Sequence, residues 1–122
     1  MRFMILVKAT ASSEAGVMPD AKDFAAMGRY HEDLLKAGVL LAADGLQPSS
    51  KAARMRYTGD KRVVTDGPFT ETKELIAGYT LIQVKTHDEA LAWFKRFPKP
   101  DDAEECEIEL RQLFELSDLL QT

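Results

Sequence analysis

Ala53-Arg54-Met55-Arg56-Tyr57-Thr58-Gly59-Asp60-Lys61-Arg62-Val63-Val64-Thr65-Asp66 carries the clearest structural signal in the chain. Two β-prone runs flank Gly59-Asp60, and a two-residue connection with glycine first has the chemistry of a tight hairpin turn. The turn sets the register: Arg54 opposite Thr65, Met55 opposite Val64, Arg56 opposite Val63. One face then holds Ala53, Met55, Tyr57, Val64 and Asp66. The other holds Arg54, Arg56, Lys61, Val63 and Thr65. Asp66 ends the more apolar face, where Gly67-Pro68-Phe69 breaks the strand.

Upstream, Arg2 to Ala9 reads as a strand with Phe3, Ile5 and Val7 on one face and Met4 and Leu6 on the other. A strand apolar on both sides belongs in the middle of its sheet. Thr10 to Pro19 is a polar loop long enough to carry function or to be mobile. Asp20 is a good N-cap, and Phe24, Met27, Gly28, His31, Leu34 and Leu35 recur at helical spacing until Gly38 closes the helix. Val39 to Ala43 is a short buried strand, and Pro48-Ser49-Ser50 a loop.

Downstream, Ile76 to Lys85 is a long strand. Thr86-His87-Asp88-Glu89 is a capping box opening a helix whose stripe is Ala90, Leu91, Trp93, Phe94 and Phe97. Phe97-Pro98-Lys99-Pro100-Asp101-Asp102 is a loop. Cys106, Ile108 and Leu110 alternate with Glu107, Glu109 and Arg111 as a half-buried last strand, which makes Cys106 a core thiol. His87, at a helix start, is expected to be exposed.

Without the hairpin the order is β-α-β-β-α-β, the ferredoxin-like pattern. The expected fold is therefore α+β, a ferredoxin-like βαββαβ unit with an inserted β-hairpin. Two helices cover one face of a four-stranded sheet. Met4, Leu6 and Ile82 are assigned to the other face, so a homodimer packed sheet on sheet is expected.

The composition sets the limits. At 122 residues the chain fits one domain, 1–122. A net charge of −4 lacks the basic footprint of a general nucleic-acid binder, so no direct nucleic-acid binding is expected. One cysteine cannot make an internal disulfide and fits a reducing, cytoplasmic setting. No apolar run approaches a membrane span. Phosphate-loop, dinucleotide and nucleophile-elbow motifs are absent. Two histidines and the single cysteine form no zinc pattern. Neither a metal nor a tightly bound cofactor is expected.

The stretch Val64-Thr65-Asp66-Gly67-Pro68-Phe69-Thr70-Glu71-Thr72-Lys73-Glu74 resembles the signature of DGPF-domain proteins, a branch of the YCII-related family. Met1-Arg2-Phe3-Met4, Ala37-Gly38-Val39-Leu40, Gly45-Leu46-Gln47-Pro48, Trp93-Phe94-Lys95-Arg96-Phe97-Pro98 and Glu107-Ile108-Glu109-Leu110-Arg111 extend the likeness over nearly the whole chain. The resemblance implies a dimeric α+β barrel of ferredoxin-like subunits. It implies no particular reaction. Some members are associated with genes for extracytoplasmic-function sigma factors, which in those cases implies regulation.

Two readings compete at each candidate position. His31 sits on the helix stripe, either as a hydrogen-bonded core histidine or as a proton-transfer group paired with an acid. Related YCII-type proteins carry a helix histidine and a downstream aspartate proposed as catalytic, and by chain order these correspond to His31 and Asp66. Asp66, Gly67, Pro68 and Phe69 form either a rigid corner or a device that aims Asp66 into a pocket. In the second reading, His31 and Asp66 share one cleft. In either reading Gly67, next to Pro68 in a tight corner, is expected to need a backbone conformation that a side chain would strain, such as a positive φ. Glu71 and Lys73 are a solvated turn or the rim of a ligand site. Arg54 and Arg56 bind an anion or pair with nearby acids. The expected ligand is a small molecule, either turned over by acid–base chemistry or bound by a non-catalytic accessory protein.

Overall fold

The computed structural model describes residues 1–99 and 105–120. Its strands are β1 (Arg2–Lys8), β2 (Leu40–Gly45), β3 (Ala53–Thr58), β4 (Lys61–Asp66), β5 (Ile76–Gln83) and β6 (Ile108–Gln112). Its helices are α1 (Ala11–Glu14), α2 (Ala21–Lys36), α3 (His87–Lys95) and α4 (Leu116–Leu119). β2, β5, β1 and β6 form one four-stranded antiparallel sheet in that order. This is the ferredoxin-like arrangement, and β1 is an inner strand as its two apolar faces require.

The inserted hairpin is a separate two-stranded sheet, β3–β4. Its register matches the turn chemistry: Arg54 faces Thr65, Met55 faces Val64 and Arg56 faces Val63. Gly59 opens the turn at φ 59°, where a side chain would clash with its own backbone. All residues of both strands are exposed.

The core lies between α2, α3 and one face of the large sheet. Phe3, Tyr30, Leu34, Val39, Ile82, Val84 and Ala90 form it, with Leu40, Trp93, Phe97 and Leu110 packed around them. Full burial of a side chain such as Leu34 is worth about 1.5–3 kcal/mol. Tyr30 anchors α2 to α3 by donating its hydroxyl to the Trp93 carbonyl at 2.7 Å. Arg96 pairs with Asp33 at 3.1 Å across the same helices.

Several expectations need correction. Ile82 lies on the helix-covered face, fully buried opposite Phe3. Leu81 takes the open face instead, opposite Met4. The buried stripe of α2 is rotated: Tyr30 and Leu34 are buried while Phe24, Gly28 and Leu35 are exposed. Cys106 precedes β6 and is exposed, because the strand begins only at Ile108. Thr86 caps α3 by accepting from Glu89 N–H, but the Glu89 carboxylate turns to Lys85 N–H rather than closing the box. The expected loop at Thr10–Pro19 contains the helical turn α1, capped by a reciprocal Thr10–Ser13 pair. In the expected loop at 97–102, Pro100, Asp101 and Asp102 lie outside the described residues. His87 is exposed, with its ring edge-on to Phe3 at 5.6 Å.

Candidate functional site

Beneath α2 the sheet is not filled by side chains. Val7, Ala43, Gly78, Thr80 and Ile108 occupy helix-facing positions, and small residues among them leave room that Leu or Phe would close. The result is a cavity of about 460 Å³. Ala26, Met27 and His31 of α2 form one wall, and Thr10, Ser12, Ser13, Val17 and Met18 form another. Phe97 and Cys106 also border it. The walls are mostly apolar, the usual character of a small-molecule site.

His31 is the imidazole in this cavity. Its Nε2 lies 3.0 Å from the Thr80 hydroxyl, and Thr80 is 2% exposed. Burial lowers the His31 pKa, so the ring is neutral at pH 7. A threonine hydroxyl both donates and accepts. The pair therefore has two states, one presenting Nδ1 as a donor and the other as an acceptor. At the sheet edge Tyr79 donates its hydroxyl to Asp44 at 3.0 Å, which raises the tyrosine pKa.

The Asp66–Phe69 corner is built elsewhere. Asp66 is exposed and faces Ala53 at the base of the hairpin. Gly67 donates its N–H to Ala52 O at 2.9 Å, and the Gly67–Pro68 peptide is cis. Pro68 is exposed and Phe69 half-buried. Phe69 donates its N–H to Ser49 Oγ at 2.9 Å and carries the Arg54 guanidinium over its ring at 3.7 Å. Arg54 also pairs with Glu71 at 3.4 Å, so it is engaged with an acid rather than open to an anion. Arg54 and Phe69 border a second hollow of about 300 Å³, with Glu14 and Ser49. Lys73 is exposed on a 3-10 turn, and Arg56 is exposed on β3.

The expected cleft shared by His31 and Asp66 is not formed within the chain. His31 borders the larger cavity; Asp66 borders neither that cavity nor the second hollow. The physical reason is that the hairpin is its own sheet, so its base does not fold over α2. Gly67 is also corrected: its φ is not positive. A Cβ there would fall 1.7 Å from the Ser49 carbonyl oxygen. Close approach, not backbone handedness, requires the glycine.

Sequence reading passed over Ser49 and Glu14. Ser49 is 6% exposed, and its N–H donates to Glu14 Oε2 at 2.8 Å. Its hydroxyl donates to Glu14 Oε1. These bonds hold the Glu14 carboxyl below the usual carboxylate range. The local signal was Thr10, an N-cap residue type opening the helical turn that carries Glu14.

Among the described residues no cluster of three or more His, Cys, Asp or Glu side chains could hold a metal ion. None of their helices is long and apolar enough to cross a membrane.

The chain is similar to an uncharacterized protein of Rhizobium meliloti (strain 1021), 39% identical over 70 residues. That match covers 57% of this chain and 54% of the relative, so the chain spans about half the relative's length. The YCII-related domain matches residues 1–115, from β1 through β6, taking in His31, Thr80 and the Asp66–Phe69 corner. The chain therefore belongs to the YCII-related domain family.

Proposed function

We propose that this protein binds a small, mostly apolar molecule carrying one neutral hydrogen-bonding group. The observation that carries this reading is the His31–Thr80 pair, 3.0 Å apart, at the wall of a cavity of about 460 Å³. A neutral imidazole backed by a hydroxyl can accept from a ligand hydroxyl or donate to a ligand carbonyl. Apolar walls provide the affinity and the pair provides orientation. The partner of His31 is a hydroxyl, and Asp66 lies on another element. That favours a non-catalytic binding or accessory role over acid–base catalysis by the two.

The test uses N-phenyl-1-naphthylamine, an apolar fluorophore with one N–H. Its fluorescence should rise on titration with the protein. Ala26→Trp should abolish the rise by filling the cavity, and Thr80→Val should weaken binding up to about ten-fold by leaving the His31 ring unoriented for its hydrogen bond to the probe. Undiminished uptake by folded Ala26→Trp protein would place binding elsewhere and overturn the reading.

The working unit of this reading is a homodimer. Met4, Leu6, Tyr79 and Leu81 share the sheet face that the helices leave open, and the hairpin exposes Met55, Tyr57, Val63 and Val64. Exposed apolar surface of this kind marks association sites. Light scattering at micromolar concentration should return twice the 13.6 kDa chain mass; a monomer would refute the assembly.

A further inference from the structure

We infer that the Asp66–Phe69 corner acts on the cavity at a distance, with Ser49 and Glu14 as positioning residues for its α1 wall. The role rests on the cavity being the ligand site. A helix of four residues is too short to hold itself, and α1 has no buried residue of its own. It is nevertheless part of the cavity wall through Ser12 and Ser13, with Val17 and Met18 just beyond. Something outside α1 has to fix it. The Thr10–Ser13 cap fixes its start. Its end is fixed by Glu14, whose two carboxylate oxygens take the N–H and the hydroxyl of Ser49.

Ser49 is in turn set by the corner. Its Oγ accepts the Phe69 N–H at 2.9 Å. Its carbonyl lies against Gly67, so close that no Cβ fits between them. The Gly67 N–H closes onto Ala52 O, the residue that ends the turn holding Ser49. Phe69 is held under Arg54, and Arg54 is held by Glu71. The corner therefore fixes Ser49, Ser49 fixes Glu14, and Glu14 fixes the segment that walls the cavity. This gives the Asp66–Phe69 sequence a part in ligand binding without contact with ligand. It also explains why the tight corner sits at the base of the hairpin rather than in the site.

Hydrogen exchange of the unliganded protein tests the strut, and N-phenyl-1-naphthylamine titration tests its action on the cavity. The amides of Ala15, Gly16 and Val17 are bonded to Ala11, Ser13 and Ser12 carbonyls and report directly on α1. Ser49→Ala and Glu14→Ala should each speed their exchange about ten-fold or more, leaving Ile5 and Ile82 amides at wild-type rates. Both variants should weaken probe binding at least about five-fold, with Glu14→Gln, which keeps one acceptor oxygen, falling between them and wild type. Unchanged exchange in α1, or acceleration spread equally to Ile5 and Ile82, would overturn the strut. Loosened exchange with undiminished probe affinity would overturn its action on the cavity. Glu14→Gln is conservative enough to carry the test if Ser49→Ala does not fold. A wild-type protein that takes up no probe refutes the ligand reading, while the exchange rates still decide the strut.

Discussion

Replacing Gly67 by alanine should be among the most damaging single-methyl additions this fold can receive. The added Cβ would lie 1.7 Å from Ser49 O and 2.7 Å from Ser49 C, where real contacts stay beyond 3.0 Å. Both obstructing atoms are backbone, so no rotamer change relieves the overlap. The Ser49 turn and the Gly67 strand end must move apart by more than an ångström. Overpacking of a fixed site costs about 1–3 kcal/mol, and this displacement also stretches the Phe69–Ser49 and Gly67–Ala52 hydrogen bonds, so about 3 kcal/mol or more is expected. An unfolding entropy of roughly 2.1 cal/mol/K per residue makes each 1 kcal/mol worth about 4 °C in a chain of 122 residues. Tm should therefore fall by about 12 °C or more. Two other glycines serve as controls for the same substitution. Gly59→Ala, at φ 59° with open space around it, should cost only the left-handed backbone, about 1 kcal/mol. Gly28→Ala, on an exposed face of α2 with nothing near its Cβ, should stabilise by about 0.5–1 kcal/mol. Calorimetry or thermal fluorescence of the three variants checks the ordering. A Gly67→Ala protein that melts within a few degrees of wild type, or no lower than Gly59→Ala, would refute the close-approach argument.

Acidification should weaken the fold through His31: its folded pKa lies below the unfolded value near 6.5, so its contribution is intact above that value and lost as pH falls through the folded pKa. Tm measured between pH 7.5 and 5 should show a component that disappears in His31→Gln, and identical pH profiles for the two proteins would remove His31 as its source. Tyr30→Phe should cost about 1 kcal/mol, one net hydrogen bond, since the Trp93 carbonyl keeps its bond from Arg96 N–H. Urea unfolding measures it. The Tyr30 phenol itself, pushed up to about 12 by burial, should stay protonated in ultraviolet titration through pH 10.

What could be read ahead of the structure was whatever sequence neighbours decide. The hairpin register followed from Gly59-Asp60 because turn length fixes pairing locally. The inner place of β1 followed from its two apolar faces. β5 defeated the same logic: Leu81 and Ile82 are adjacent and both apolar, so periodicity alone does not say which meets the helices. Cys106 was misjudged because alternation continued one pair beyond the strand that produces it. For the site, the helix position of His31 was legible, but its partner Thr80 lies 49 residues away on a strand that looks simply β-prone. Glu14 and Ser49 meet across 35 residues from two segments with no period, so nothing local pairs them. Gly67 was expected to resist a side chain through its backbone conformation, whereas the obstacle is the Ser49 carbonyl, and a clash with a distant carbonyl leaves no mark on the tripeptide around the glycine.

The inner position of β1 also governs how the protein emerges from a ribosome. Its two neighbours in the sheet are β5 and β6, made last among the strands. Phe3, Ile5 and Val7 thus leave the exit tunnel with no strand to pair with, and stay so until Ile76–Gln83 follows and Ile108–Gln112 closes the other side. The β3–β4 ribbon, joined by two residues, is free to form long before. Synthesis at about 5–20 residues per second leaves the first strand unpaired for several seconds. An apolar strand open on both edges for that time is exposed to off-pathway pairing, and the order of the strands makes that exposure unavoidable.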